Sequence, residues 1–127
     1  MPEKILYEYA IIRLLPKVER EEFINVGVMI YSKNAQQLMV KTHLDEKKFQ
    51  IFATELEGEE VRKNLQSFEW IAQGTKNGGP IAQMDQASRF RWMTAVRSSC
   101  LQTSRPHPGF STNLEDTLQR LFEELVL

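Results

Sequence analysis

The amino-acid order predicts an α+β domain: an antiparallel meander of three or four strands packed with about four helices. Three observations carry this expectation. From Ile5 to His43 the chain is rich in β-branched and aromatic residues, with a two-residue alternation. After His43 the apolar spacing changes to about 3.6 residues, the period of a helix. Strands come first and helices follow, which argues for α+β rather than alternating βαβ units.

The first strand is "KILYEYAIIRLLP", ending at Pro16, which cannot continue a central ladder. Tyr7, Tyr9, Ile11, Arg13 and Leu15 share one face, and Leu6, Ala10, Ile12 and Leu14 line the other. Both faces are largely apolar, so this strand belongs away from a wet edge. "FINVGVMIYS" sets Ile24, Val26, Val28 and Ile30 against Asn25, Gly27, Met29 and Tyr31. The turn "SKNAQ" leads to a shorter strand, "QLMVKTH".

Leu44, Asp45 and Phe49 fit a hydrophobic staple around an Asp N-cap, with Phe49, Phe52 and Leu56 on one side of the helix. Gly58 separates it from a second helix striped by Val61, Leu65, Phe68 and Ala72. "GTKNGGP" reads as a flexible linker, too short to divide domains. Asp85 caps a short helix with Ala87, Phe90 and Met93. Thr112 and Glu115 stand at capping-box spacing before the stripe Leu114, Leu118, Leu121, Phe122 and Leu125. Between these helices Arg97 to Gln102 is open to two readings: a polar loop, or a fourth strand before the turn "RPHPG".

Composition narrows the functional classes. With 127 residues, 42% apolar and 26% charged, the chain reads as one soluble domain over residues 1–127. A net charge of −1 provides no bulk field for nucleic acid or acidic membranes. The single Cys100 excludes an internal disulfide and suits a reducing compartment, and the two histidines lack metal-ligand spacing. The apolar run at the N-terminus is broken by Glu8 and Arg13, so it reads as a strand rather than a signal peptide. The expectation is a cytoplasmic protein without metal or cofactor.

Two polar constellations stand out. In "AVRSSCLQTSRPHPG" the residues Arg97, Ser98, Ser99, Gln102, Arg105 and His107 lie close together with no acid from Gln86 to Phe110. Arginine offers a planar fork for phosphate or carboxylate, serine offers hydroxyl donors, and His107 offers an imidazole that can donate or accept. Arg97, Ser98, Ser99, Gln102 and His107 are therefore the candidate ligand or interface residues. A structural alternative ranks ahead, in which Arg97 pairs with a carboxylate such as Glu22 and closes the fold. The second constellation is "EREEFINVGV", with Arg13, Glu22, Asn25 and Gly27 as a candidate structural polar centre. Gly27 inside an apolar strand suggests a bulge or a close approach, and Asn25 is expected on the same face. Cys100 near His107 lacks an orienting third group or an oxyanion hole, so no catalytic residue is assigned. No P-loop, GxGxxG or HExxH is present.

The segments "IIRLLPKVEREEFINVGVMIY", "LDEKKF" and "RFRWMTAVRSSCLQTSRPHPG" together resemble a small bacterial domain-of-unknown-function family, often encoded beside HipA-like kinases. Its most specific positions here are Arg13, Pro16, Arg20, Glu22, Phe23, Asn25, Gly27 and Val28. Further along they are Phe90, Trp92, Arg97, Ser98, Gln102, Ser104, His107 and Gly109. The chain has Val96 where the family usually has proline, and Pro108 where it tends to have threonine. The resemblance carries no activity and no catalytic residue; it implies a HipA-like kinase as a partner. The leading expectation is a non-catalytic accessory or interaction domain. The alternative is an enzyme or sensor that binds a phosphorylated or anionic small ligand through the Arg97–His107 segment. Direct nucleic-acid binding ranks third, because the basic stretch is short.

Overall fold

Strand β1, Ile5–Leu14, is paired along both edges and forms the spine of the sheet. The computed structural model describes residues 3–15, 22–52, 58–95 and 100–127, without the side chains of residues 51 and 52. On one edge β1 pairs with β2, Ile24–Ser32, which pairs in turn with β3, Gln37–Thr42, all antiparallel. On the other edge two short strands lie end to end. Strand β4, Leu101–Thr103, pairs with Ile12–Leu14, and β5, His107–Ser111, pairs with Ile5–Tyr9. Five strands thus occupy four positions, one more strand than the sequence suggested.

The helices are α1 Glu46–Phe52, α2 Gly58–Gln73, α3 Gly79–Ala82, α4 Gln86–Thr94 and α5 Leu114–Leu125. They divide between the two faces, as the doubly apolar β1 requires. Ala10, Ile12 and Leu14 pack with Phe49, Val61, Leu65, Phe68, Phe90 and Met93 on one side. Tyr7, Val28 and Ile30 pack with Leu114, Leu118 and Leu121 of α5 on the other. The result is an α+β fold with the sheet between unequal helical layers.

The register of β2 is interrupted near its start. Ile12 lies opposite Gly27 and Arg13 opposite Asn25, so Val26 is an extra residue, a β-bulge. The bulge inverts the inside–outside order of the strand. Val26 joins the larger core, whereas Val28 and Ile30 join the core beneath α5. The sequence reading put Val26, Val28 and Ile30 together, and Asn25 with Gly27. Each set is split, because simple alternation assumes an unbroken ladder. Gly27 is also a point of close approach. A Cβ there would lie 2.9 Å from the Lys41 carbonyl oxygen and 3.1 Å from Ile12 Cδ1.

Helix ends follow local side-chain chemistry. Asp45 Oδ1 accepts from the Lys47 and Lys48 amides at 2.9 and 3.2 Å, and Asp85 Oδ1 from the Ser88 amide at 2.7 Å. These bonds, from Lys48 and Ser88 foremost, hold both carboxyls below the usual aspartate range. For α5 the cap is Asn113, whose side chain accepts from the Asp116 amide at 3.1 Å. The expected Thr112–Glu115 box is therefore one residue early. Two further expectations change. "GTKNGGP" is not a loose linker but a 3-10 turn, Lys76–Gly78, running into α3. "RPHPG" is not a turn: from His107 it enters β5, where an edge position tolerates the missing N–H of Pro108.

Arg89 lies within the helical layer, 8% exposed, and close enough to the Asp85 carboxylate to interact with it through charge. Its Nη1 donates to the carbonyls of Ile71 and Ala72 at 2.8 and 3.0 Å, in the last turn of α2. A helix C-terminus carries partial negative charge, so the guanidinium acts as its cap.

Gly27→Ala should destabilise the fold by about 1–3 kcal/mol, because backbone at Lys41 must shift to admit one methyl group. Urea denaturation monitored by circular dichroism checks this, with Gly79→Ala, a site that has open space for Cβ but a positive φ, as comparison.

Candidate functional site

Arg13 is the point at which the two polar constellations meet. It lies opposite Asn25 on one side and opposite Gln102 on the other, so the three form one row across β2, β1 and β4. Cross-strand partners in register share a face. That face is the one covered by α5, as Asn25 shows: its Nδ2 donates to the Leu125 carbonyl at 2.9 Å. The bulge at Val26 makes this row possible. Without it, Asn25 would face the opposite core with Gly27.

Two polar atoms in the row are buried with no hydrogen-bond partner among the described residues: Arg13 Nε, a donor, and Asn25 Oδ1, an acceptor. Native folds leave few such atoms, and each asks for a ligand, a water or a functional reason. The Arg13 guanidinium carbon sits 4.3 Å from the centre of the Phe23 ring, a cation–π contact with an aromatic that is itself 42% exposed. Glu22 is exposed just ahead of β2. Gly27 belongs to the neighbouring row on the other face, so it shapes the site only through the bulge.

The remaining candidates separate. His107 lies farther along β1, opposite Tyr9, with ring centroids 5.2 Å apart. It shares the face of Gln102 and Arg13 but not their row. Arg97, Ser98 and Ser99 lie outside the described residues. Cys100 packs partly buried against the larger core. Among the described residues no cluster of His, Cys, Asp or Glu could hold a metal ion, and no helix is long and apolar enough to cross a membrane.

Some residues that matter here were given no structural role in the sequence reading, although Ser104 and Gly109 stood among the positions that carry the family resemblance. Ser104 fills the gap between β4 and β5. Its Oγ accepts from the Ile11 amide at 2.8 Å, and its own amide donates to the Ile11 carbonyl at 2.8 Å. Its side chain thus replaces a ladder bond where the edge changes strands. Tyr7 lies across the strand from Gly109, where a Cβ would fall 2.5 Å from the tyrosine hydroxyl. Only glycine leaves room for that ring. Phe110, directly opposite Leu6, points away from the body: the two are 67% and 46% exposed. A single aromatic after a Pro–Gly pair carries no periodicity from which to read this.

The fold and site define an α+β domain with a polar row on the sheet face that carries its C-terminal helix and an exposed apolar pair across β1 and β5. Residues 9–126 match the family model described as a protein of unknown function, DUF3037, and the chain belongs to that family. No curated protein and no solved structure matches it.

Asn25→Ala should cost about 1 kcal/mol through loss of the bond to Leu125. Hydrogen exchange should quicken selectively at the C-terminal turn of α5, and equal quickening throughout the sheet would contradict the tether.

Proposed function

We propose that this chain is a non-catalytic interaction domain that docks a protein partner along β5. The observation that carries this reading is the Leu6–Phe110 pair. Two large apolar side chains stand side by side across the β1–β5 pair, Leu6 46% and Phe110 67% exposed, and β5 has one unpaired edge. Exposed apolar residues are ordinary when scattered; a contiguous pair on a free edge is the usual mark of an interface. From Pro106 to Asn113 the segment carries no acidic or basic residue other than His107, so lysine or glutamate does not guard this edge. The resemblance to a bacterial family encoded beside HipA-like kinases supports a kinase of that type as the partner, in the cytoplasm.

Co-expression with a HipA-like kinase and affinity purification test the proposal. A stoichiometric complex is expected, weakened at least tenfold by Phe110→Ser while the melting temperature of the free domain holds. A complex indifferent to Phe110→Ser, or no complex, overturns it.

A second reading rests on Arg13 Nε and Asn25 Oδ1, which together suit a small ligand that both accepts and donates, such as a protonated phosphate group. Under it, Arg13 and Gln102 hold the anion. Inorganic phosphate should then raise the melting temperature, and Arg13→Gln should abolish the rise. No rise with phosphate removes this reading.

A further inference from the structure

The edge of the sheet farthest from β5 is β3, and a cleft of about 350 Å³ runs along it. Leu38, Met39, Val40 and Lys41 form its floor. Glu69 and Ala72 of α2 make one wall, and Glu115 and Leu118 of α5 the other. The two helices lie on opposite faces of the sheet, so the cleft wraps the strand edge itself.

The ladder fixes what that edge offers. The His43 amide donates to the Val26 carbonyl at 2.8 Å. Antiparallel pairing alternates, so Lys41, Met39 and Gln37 turn their backbone groups toward β2. The N–H and C=O groups of Leu38 and Val40 therefore face the cleft, and those of Thr42 continue the same edge beyond it; the described residues pair none of them with a further strand. These are the groups to which an extended chain adds.

Charge selects the occupant. The walls present two carboxylates from different helices, and among the described residues neither Glu69 nor Glu115 is in an ion pair. Glu69 accepts from neutral donors, the Thr42 hydroxyl at 2.7 Å and the Gln66 amide at 3.3 Å. The one basic residue of the floor, Lys41, is drawn away: its Nζ donates to Gln119 Oε1 and lies 5.8 Å from the centre of the Phe122 ring. The cleft is thus apolar at its base and negative at its rims.

We propose that this cleft receives an extended segment of a partner protein that carries lysine or arginine flanking apolar residues and pairs with β3 as an added strand. Its backbone meets Leu38, Val40 and Thr42, and its basic side chains reach Glu69 and Glu115. The surface is separate from the Leu6–Phe110 edge and stands or falls independently of it.

Selection of a phage-displayed random octapeptide library on the immobilised domain tests the proposal, with anisotropy titration of the enriched peptides. Enriched sequences should alternate apolar residues and carry lysine or arginine. The Glu69→Gln, Glu115→Gln double variant should weaken them roughly tenfold. Val40→Pro should abolish binding: it removes an outward N–H that β2 does not use, and an edge strand tolerates proline. Retained binding by a Phe110→Ser domain, with unchanged circular dichroism in every variant, assigns the effect to this cleft. Four outcomes overturn the proposal. They are no enrichment over a blank surface, acidic enriched peptides, binding indifferent to a folded Val40→Pro, and dimerisation through β3 in sedimentation, which would make the occupant a second copy.

Discussion

The extra residue in β2, Val26 set against the Ile12–Arg13 step of β1, is the constraint on which the rest of the molecule turns. A strand has a period of two, so one inserted residue exchanges its faces from that point on. Here the exchange lets β2 contribute Val26 to the core of the larger helical layer and Val28 and Ile30 to the core beneath α5. The same step carries Asn25 to the α5 side, where its amide holds the Leu125 carbonyl. Gly27 is needed at this point because the Lys41 carbonyl and the Ile12 side chain close over the position a Cβ would take. The Asn–Gly pair is thus one device. The glycine admits the close approach, and the asparagine anchors the end of the last helix.

From this follows a sheet whose two margins differ. The margin at β4 and β5 is built from two short strands with a serine hydroxyl replacing a ladder bond, and it ends in an exposed aromatic. The margin at β3 is a single strand sunk between two helices whose carboxylates stand over it. Between them, Arg13 lies in a row that joins the two polar constellations, with a donor and an acceptor there left without partners among the described residues. These places offer backbone edges, apolar side chains and fixed hydrogen-bonding groups. None of them assembles a nucleophile, a base and an oxyanion site from the described residues.

Much of this was legible in the residues. The change of apolar period at His43 marks the passage from sheet to helices, and the two apolar faces of β1 foretell layers on both sides. Asp45 and Asp85 announce their helices because capping is local. What stayed hidden was non-local. Whether Asn25 faces with or against Gly27 depends on a register that no single strand encodes. Two prolines make "RPHPG" look like a turn, yet an edge strand asks nothing of the Pro108 nitrogen. Ser104 and Arg89 look like ordinary polar residues until a strand gap and a helix end are brought to them. The α5 cap shows the local limit: Thr112 and Asn113 are both good caps, and backbone geometry rather than composition selects Asn113.

The measurement that reaches the centre of this account is the cross-strand pairing of β1 and β2, read from backbone nuclear Overhauser contacts in the isotope-labelled domain. The account predicts contacts of Ile12 with Gly27 and of Arg13 with Asn25, Val26 unpaired between them, and the Asn25 side-chain amide close to Leu125. A continuous ladder, with Arg13 opposite Val26 and the Asn25 amide remote from α5, would contradict it.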